Sequence, residues 1–125
     1  MTLSGVLLVC AGGALGAVAR YWISRVGALA MPEASFPLPT LFVNITGSAL
    51  LGAVVALLEP DLTSLVDAPA MLFAGVGFCG AYTTFSSFCT ETVALVSRSV
   101  PLAGLYVMTT VAGTLLAFIA AFTFL

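Results

Sequence analysis

Gly75-Val-Gly77-Phe-Cys79-Gly80-Ala-Tyr82-Thr83-Thr84-Phe85-Ser86-Ser87-Phe88 is the stretch on which the reading of this chain turns. It lies inside a long apolar run, yet it is poorly suited to an unbroken membrane helix. Three glycines, two adjacent threonines and two serines fall within fourteen residues. Glycine is among the weakest helix formers, and Thr and Ser side chains offer the backbone competing hydrogen bonds. At membrane depth, freed backbone groups are tolerated only where protein or a wet cavity satisfies them. A break here predicts a site, with carbonyls or amides turned toward something bound. The competing reading is close helix packing through small residues.

Composition sets the frame around that stretch. The chain has 125 residues, of which 62% are hydrophobic and only 6% charged. There are three Arg, no Lys, no His and five acidic residues. A soluble domain carries about 25% charged residues, so this is a membrane protein with almost nothing outside the bilayer. Nucleic acid is excluded as a partner, because there is no basic surface to neutralise phosphates.

The charges are Arg20, Arg25, Glu33, Glu59, Asp61, Asp67, Glu91 and Arg98. Between them lie charge-free windows at 1–19, 34–58, 68–90 and 99–125. Each reaches the roughly 20 residues needed to cross a bilayer core. The reading is a single all-α domain, 1–125, of four transmembrane helices at about 3–24, 38–58, 69–97 and 102–124. The third would be about 43 Å long if continuous, against a hydrocarbon thickness of roughly 30 Å. It must tilt, protrude or break, and the Gly/Thr cluster near its middle favours a break.

The first window is expected to be a helix of the mature protein and not a signal peptide, since it lacks a basic leading region and its first positive charge follows the apolar run. Cys10, Cys79 and Cys89 are odd in number, lack metal-site spacing and read as small packing residues. With no His, no paired acids within a helix and no phosphate loop, an enzyme is not expected.

Taken in order, helix 1 carries Gly12 and Gly16, a GxxxG face suited to close contact. It passes Arg20, Tyr21 and Trp22; the aromatics mark an interface. Arg20 is either a snorkelling anchor or a fixed charge at a pore mouth. The loop at about 25–37 precedes helix 2, in which Asn44 is an uncharged amide well inside the apolar window. An amide facing lipid would be costly, so Asn44 faces protein or water. The second loop, with Glu59, Pro60, Asp61 and Asp67, is acidic. On helix 3, Phe85, Phe88 and Glu91 follow one another at i, i+3 and i+6 along one face. On helix 4, Tyr106, Thr110 and Thr114 fall at i, i+4 and i+8 in an otherwise apolar helix. Such a stripe suggests a water-filled or pore-facing side, unless the hydroxyls simply bond their own helix.

The polar groups at membrane depth are thus Asn, Thr, Ser and Tyr, with Phe ring edges carrying weak positive charge. Cation pathways more often show acidic rings or stacked carbonyls, and proton pumps show embedded acids or His. The chemistry leans toward a small, strongly hydrated anion. Four helices are few for a pore, so an oligomer is expected.

Three ordered motifs carry a closer resemblance. Gly16-Ala-Val-Ala-Arg20-Tyr21, Pro39-Thr-Leu-Phe-Val-Asn44-Ile-Thr-Gly47-Ser48 and Gly77-Phe-Cys-Gly80-Ala-Tyr-Thr83-Thr84-Phe85-Ser86-Ser87-Phe88 resemble the signatures of the Fluc/CrcB fluoride-channel family. The resemblance spans essentially the whole chain. It implies an antiparallel, dual-topology dimer in the cell membrane that exports F⁻ passively through pathways lined by both subunits. It also implies a central, structural Na⁺ held by the backbone carbonyls of Gly80 and Thr83, where a bulkier residue at 80 should disturb the backbone. By the same resemblance, Phe85 and Phe88 present ring edges to fluoride, Asn44 is the pore amide, and Ser87 and Thr84 are hydroxyls beside it. Tyr106, Thr110 and Thr114 match a polar track, Arg20 a vestibule arginine and Glu91 the glutamate beyond the phenylalanines. Ala17 and Ala81 stand where the family often has Gly, and Ser87 where Thr is common.

Two other readings compete. A proton-coupled small multidrug exporter has the same size and plan, but depends on an acid in helix 1, and none precedes Arg20. A non-transporting assembly subunit would only pack against partner helices. All three Arg fall on the side of the 20–37 and 98–101 loops. That bias leaves two partner arrangements open: a homodimer inserting both ways, or a heterodimer with an oppositely oriented paralogue.

Overall fold

The computed structural model describes residues 2–58, 62–65 and 67–125. Glu59, Pro60 and Asp61 of the acidic second loop lie outside the described residues; Asp67 is exposed. Helix α1 runs Leu3–Ala30 and α2 Leu38–Leu58, followed by a single turn, α3, at Leu62–Leu65. The third span, Met71–Arg98, is composite. It begins as a π-helical segment, Met71–Cys79, continues as α4, Gly80–Tyr82, and resumes as α5, Phe85–Arg98. Helix α6, Val100–Phe124, completes the chain. Four helical spans of 28, 21, 28 and 25 residues are long and apolar enough to cross a membrane.

The expected four spans are all present, with one boundary displaced. Helix α1 continues six residues beyond 24, through Arg25 to Ala30. A charge interrupts a hydropathy window without interrupting a helix. The helix stops where Met31 leaves helical geometry (φ −134, ψ 63), as expected of a residue before proline, here Pro32.

The break in the third span falls at Thr83–Thr84. Thr83 (φ −80, ψ 161) and Thr84 (φ −148, ψ 118) are extended. Thr84 then caps α5, its Oγ1 accepting the Ser87 N–H at 3.2 Å, the usual job of a Thr at a helix N-terminus. Ahead of the break, nine π-helical residues are unusual, because π geometry occurs mostly as single-turn bulges, often at functional sites.

Glycines weld α1 to this segment. A Cβ on Gly12 would collide with the Phe73 carbonyl, and one on Gly16 with the Phe78 carbonyl. From the other side, a Cβ on Gly77 would lie 2.7 Å from the Val9 carbonyl oxygen and 3.1 Å from Gly12 Cα. The predicted GxxxG face therefore does pack, backbone on backbone. The stepping from Gly12–Phe73 to Gly16–Phe78 shows that α1 and the third span run the same way. Helices α2 and α6 pair likewise, with Gly52 against Phe118 and Gly113 against Ile45.

Polarity is inverted relative to a soluble bundle. The buried residues include Thr40, Asn44, Thr84 and Thr110, while Leu7, Leu15, Leu105, Leu115, Leu116 and Ile119 stand exposed. Hydrocarbon around the bundle accounts for that outside, and the chain is a multi-pass membrane protein. The interior polar groups gather where α2, the break, α5 and α6 meet.

Candidate functional site

The break leaves backbone groups that must be satisfied, and α2 supplies the partner. Asn44 Oδ1 accepts the Thr84 N–H at 2.7 Å, and Asn44 Nδ2 donates to the Thr84 carbonyl at 3.0 Å. In a continuous helix, the Thr84 N–H would go to the Gly80 carbonyl and the Ser87 N–H to the Thr83 carbonyl. Both donors are committed elsewhere, to Asn44 and to Thr84 Oγ1. The carbonyls of Gly80 and Thr83 thus lose their helical donors.

Gly80 itself is in ordinary α geometry (φ −61, ψ −34). A Cβ built there meets nothing within 4 Å, and the residue is exposed. The expectation that a side chain at 80 would disturb the backbone is corrected: within this chain there is neither strain nor a collision to cause it. Any steric demand at Gly80 comes from outside the chain.

Around the break lies a cavity of about 470 Å³, open on one side. Asn44 and Ser48 of α2, Gly80, Thr83 and Thr84 of the break, Phe85 and Phe88 of α5, and Thr110 and Thr114 of α6 all contribute to its wall. Among the described residues, no acidic or basic side chain lines it. Phe85 projects outward, 77% exposed, with its ring centroid 5.7 Å from that of Phe88. Phe88 in turn lies 5.4 Å from Tyr106. The two phenylalanines therefore form a short file from the open side toward the interior.

The hydroxyls of the expected track do not behave alike. Thr83 Oγ1 donates to the Cys79 carbonyl at 2.9 Å, and Thr114 Oγ1 to the Val111 carbonyl at 3.0 Å. Their protons are spent on their own helices. Thr84 Oγ1 donates to Ser87 Oγ at 3.1 Å, so Ser87 belongs to the cap and is not part of the cavity wall. Thr110 differs: it is buried, and its Oγ1 has no hydrogen-bond partner. A buried hydroxyl without a partner is rare enough to call for one.

Tyr106 is fully buried, so the stripe of Tyr106, Thr110 and Thr114 is not one water-facing side. It splits into a sealed residue, an orphan hydroxyl and a half-buried threonine bonded to its own helix. The Tyr106 hydroxyl donates to Glu91 Oε2 at 2.7 Å, while Thr40 Oγ1 donates to Glu91 Oε1 at 2.8 Å. Phe36, from the first loop, meets the Tyr106 ring edge-on at 5.4 Å. Glu91 and Tyr106 thus sit directly behind Phe88, outside the cavity wall. Arg20 is half-buried on α1 and takes no part in that wall. Cys10 and Cys89 are exposed and only Cys79 is buried, so packing describes one cysteine of the three.

Thr40 and Phe36 are the residues that sequence reasoning passed over. Thr40 stands four residues before Asn44, with Gly47 and Ser48 following on the same face of α2. That polar and small stripe was a legible signal. Phe36 lies among loop prolines and carried none.

Comparison with known proteins gives a consistent result. Residues 7–122 match the family described as CrcB-like protein, Camphor Resistance (CrcB). A protein named fluoride-specific ion channel FluC from Rhodospirillum rubrum is 47% identical over 89 residues, 71% of this chain and 68% of that one. FluC 1 of Halalkalibacterium halodurans is 37% identical over 119 residues, 94% of each chain. FluC of Anaeromyxobacter sp. (strain K) is 43% identical over 118 residues, covering 93% of this chain and 90% of its own.

Proposed function

The chain belongs to the CrcB-like family, and from that premise we propose that it is a fluoride-selective channel, passing F⁻ passively across the cell membrane and so lowering cytoplasmic fluoride. The observation that carries this reading is the cavity at the break, whose wall holds uncharged donors and aromatic rings and, among the described residues, no carboxylate. Fluoride is small and tightly hydrated, so a path that strips its water must replace hydrogen-bond donors one for one. Within the wall, the Thr110 hydroxyl has no protein partner, and Asn44 keeps one amide hydrogen beyond its bond to Thr84. The rings of Phe85 and Phe88 add positive edges. Among the described residues, no carboxylate on that wall offers a permeating cation a counter-charge.

A structural Na⁺ fits the chemistry of the break. It is a hard cation that takes oxygen ligands, and unwound backbone at membrane depth commonly supplies them. The carbonyls of Gly80 and Thr83 would hold it, since their helical donors are committed elsewhere. When bound, such an ion supplies a fixed positive charge without a buried lysine or arginine. Support for a second subunit comes from the same face: Gly80 is exposed, and Phe85 stands 77% exposed beside the open side of the cavity. Two copies in opposite orientations, or this chain with an oppositely oriented paralogue, would close it.

The test is fluoride efflux from proteoliposomes containing the purified chain, with chloride efflux and an imposed proton gradient as controls. Fluoride flux without chloride flux, indifferent to the proton gradient, is the expected result. Transport driven only by the proton gradient would instead identify a coupled exporter. Silence toward every ion, with or without an added paralogue, would leave an assembly subunit.

A further inference from the structure

Asn44 does more in this fold than present an amide to a path. Thr84 is extended (φ −148, ψ 118), and an extended residue turns its N–H and C=O to the same side, as in the hydrogen-bonded pairs of an antiparallel sheet. Asn44 answers both, accepting at 2.7 Å and donating at 3.0 Å, with both bonds buried. One side-chain amide thus takes the place of a neighbouring strand. On either side of Thr84 lie the groups whose placement matters most: Thr83, and then Phe85 and Phe88. An extended residue in the middle of a membrane span has no water to satisfy it. Without Asn44, its cheapest alternative is to return to helix, which would turn Phe85 and everything beyond it.

We infer that Asn44 is the positioning residue of the break: its carboxamide clamps the Thr84 backbone in extended form and thereby aims both phenylalanine rings. The inference rests on the fluoride-channel reading only for its flux assay, since the clamp itself is a structural relation between α2 and Thr84.

The hydrogen-bond inventory of an acid gives the test. A protonated Asp at 44 has one acceptor oxygen and one O–H donor, enough to reproduce both bonds to Thr84, and no donor left over. An ionised Asp is acceptor-only and sets a carboxylate against the Thr84 carbonyl. Burial at this depth raises the pKa of such a carboxyl. The clamp is therefore intact on the acid side and lost as pH rises through that raised value. Above it, each pH unit cuts the protonated fraction about tenfold. The titratable or charged groups on neighbouring elements are Cys89, Glu91 and Arg98 on α5, Tyr106 on α6, Cys79 in the π-helical segment, Tyr82 on α4, and Cys10, Arg20, Tyr21 and Arg25 on α1. Wild type carries all of them, so its pH profile is the baseline.

The experiment compares wild type, Asn44→Asp and Asn44→Ala as full-length protein in lipid. Flux is followed from about pH 8 to about pH 5.5, a range that brackets a raised carboxyl pKa. Hydrogen-exchange protection of the Thr84 amide is measured alongside. Asn44→Asp should regain Thr84 protection as pH falls, with flux rising in step but staying below wild type because the second amide hydrogen is gone, while Asn44→Ala loses both at every pH. Two results would overturn the inference. One is an Asn44→Asp protein that protects Thr84 yet stays silent at every pH, which would make the lost amide hydrogen the functional group. The other is undiminished Thr84 protection in Asn44→Ala. Should wild type itself pass no fluoride, the channel reading falls, and the Thr84 protection data still decide the clamp.

Discussion

Gly80 and Gly77 sit three residues apart in the same span, and their substitutions should separate folding from function. Gly77 is pinned. A methyl there would lie 2.7 Å from the Val9 carbonyl oxygen and 3.1 Å from Gly12 Cα, both backbone atoms that cannot swing aside. Overpacking of this kind costs about 1–3 kcal/mol. Gly80 has α geometry and open space around its missing Cβ. In the isolated chain, Gly80→Ala should cost nothing and should stabilise by about 0.4–1 kcal/mol, through the lower entropy of the unfolded chain. If the carbonyls of Gly80 and Thr83 serve an ion shared with a second subunit, the same methyl intrudes on that shared face. Thermal unfolding in detergent should then rank Gly80→Ala at or above wild type and Gly77→Ala below it. Fluoride efflux should fall more than about tenfold in Gly80→Ala, a barrier change of about 1.4 kcal/mol. Wild-type flux in both Gly80→Ala and Gly80→Val would refute the idea that anything binds at this face. A loss of stability in Gly80→Ala as large as in Gly77→Ala would refute the geometry itself.

Three further outcomes are expected. Phe85→Ala and Phe88→Ala should each reduce fluoride efflux strongly while the purified protein keeps its oligomeric state; unchanged efflux in both would remove the rings from the path. Thr110→Val, which deletes a buried hydroxyl that has no partner, should leave stability unchanged or raise it by up to about 1 kcal/mol while lowering flux. Thr114→Val should lower flux less, because the Thr114 proton already goes to Val111, and the reverse order would show that the bond to Val111 opens during conduction. For topology, a C-terminal reporter on the chain expressed alone should give signal from both sides of the membrane, with flux from the single purified chain. Signal from one side only, with no flux until a second chain is added, would establish the heterodimer.

The spans were legible because hydropathy and helix length report the same constraint. The break was legible because Gly, Thr and Ser cluster where a membrane helix should be dullest. Its position was legible less sharply: composition marked 75–88, while the extended residues are only Thr83 and Thr84. The π-helical geometry of Met71–Cys79 left no sequence signal, and neither did the close approach of its Gly77 to the backbone of Val9 and Gly12, a relation between two spans. Partner choice was hidden for the same reason. Asn44 could be placed inside the bundle from its cost in lipid, but which backbone it would bond depended on α2 and the break lying side by side. Tyr106 shows the opposite error. The i, i+4, i+8 spacing put it on a face with Thr110 and Thr114, yet the loop residue Phe36 closes over it and Glu91 accepts the hydrogen bond from its hydroxyl. Periodicity specifies a face and says nothing of what covers each turn of it.

A tally of protons narrows the path further than a list of polar residues does. Thr83, Thr84, Thr114 and Tyr106 all donate to protein acceptors. Each can still accept, and an anion offers nothing to accept from. What the cavity wall can give to an anion is therefore short: the second amide hydrogen of Asn44, the hydroxyls of Ser48 and Thr110, and the ring edges of Phe85 and Phe88. These donors are held by three different elements, α2, α6 and α5. Fixing their mutual spacing falls to the contact that joins α2 to the start of α5, which is the pair of bonds between Asn44 and Thr84. A site so sparing in donors favours an ion small enough for few contacts to be strong ones. Larger halides would gain less from each contact, those with the ring edges of Phe85 and Phe88 included. On this reasoning, removing one of those ring edges with Phe88→Leu should weaken discrimination against chloride before it abolishes fluoride flux.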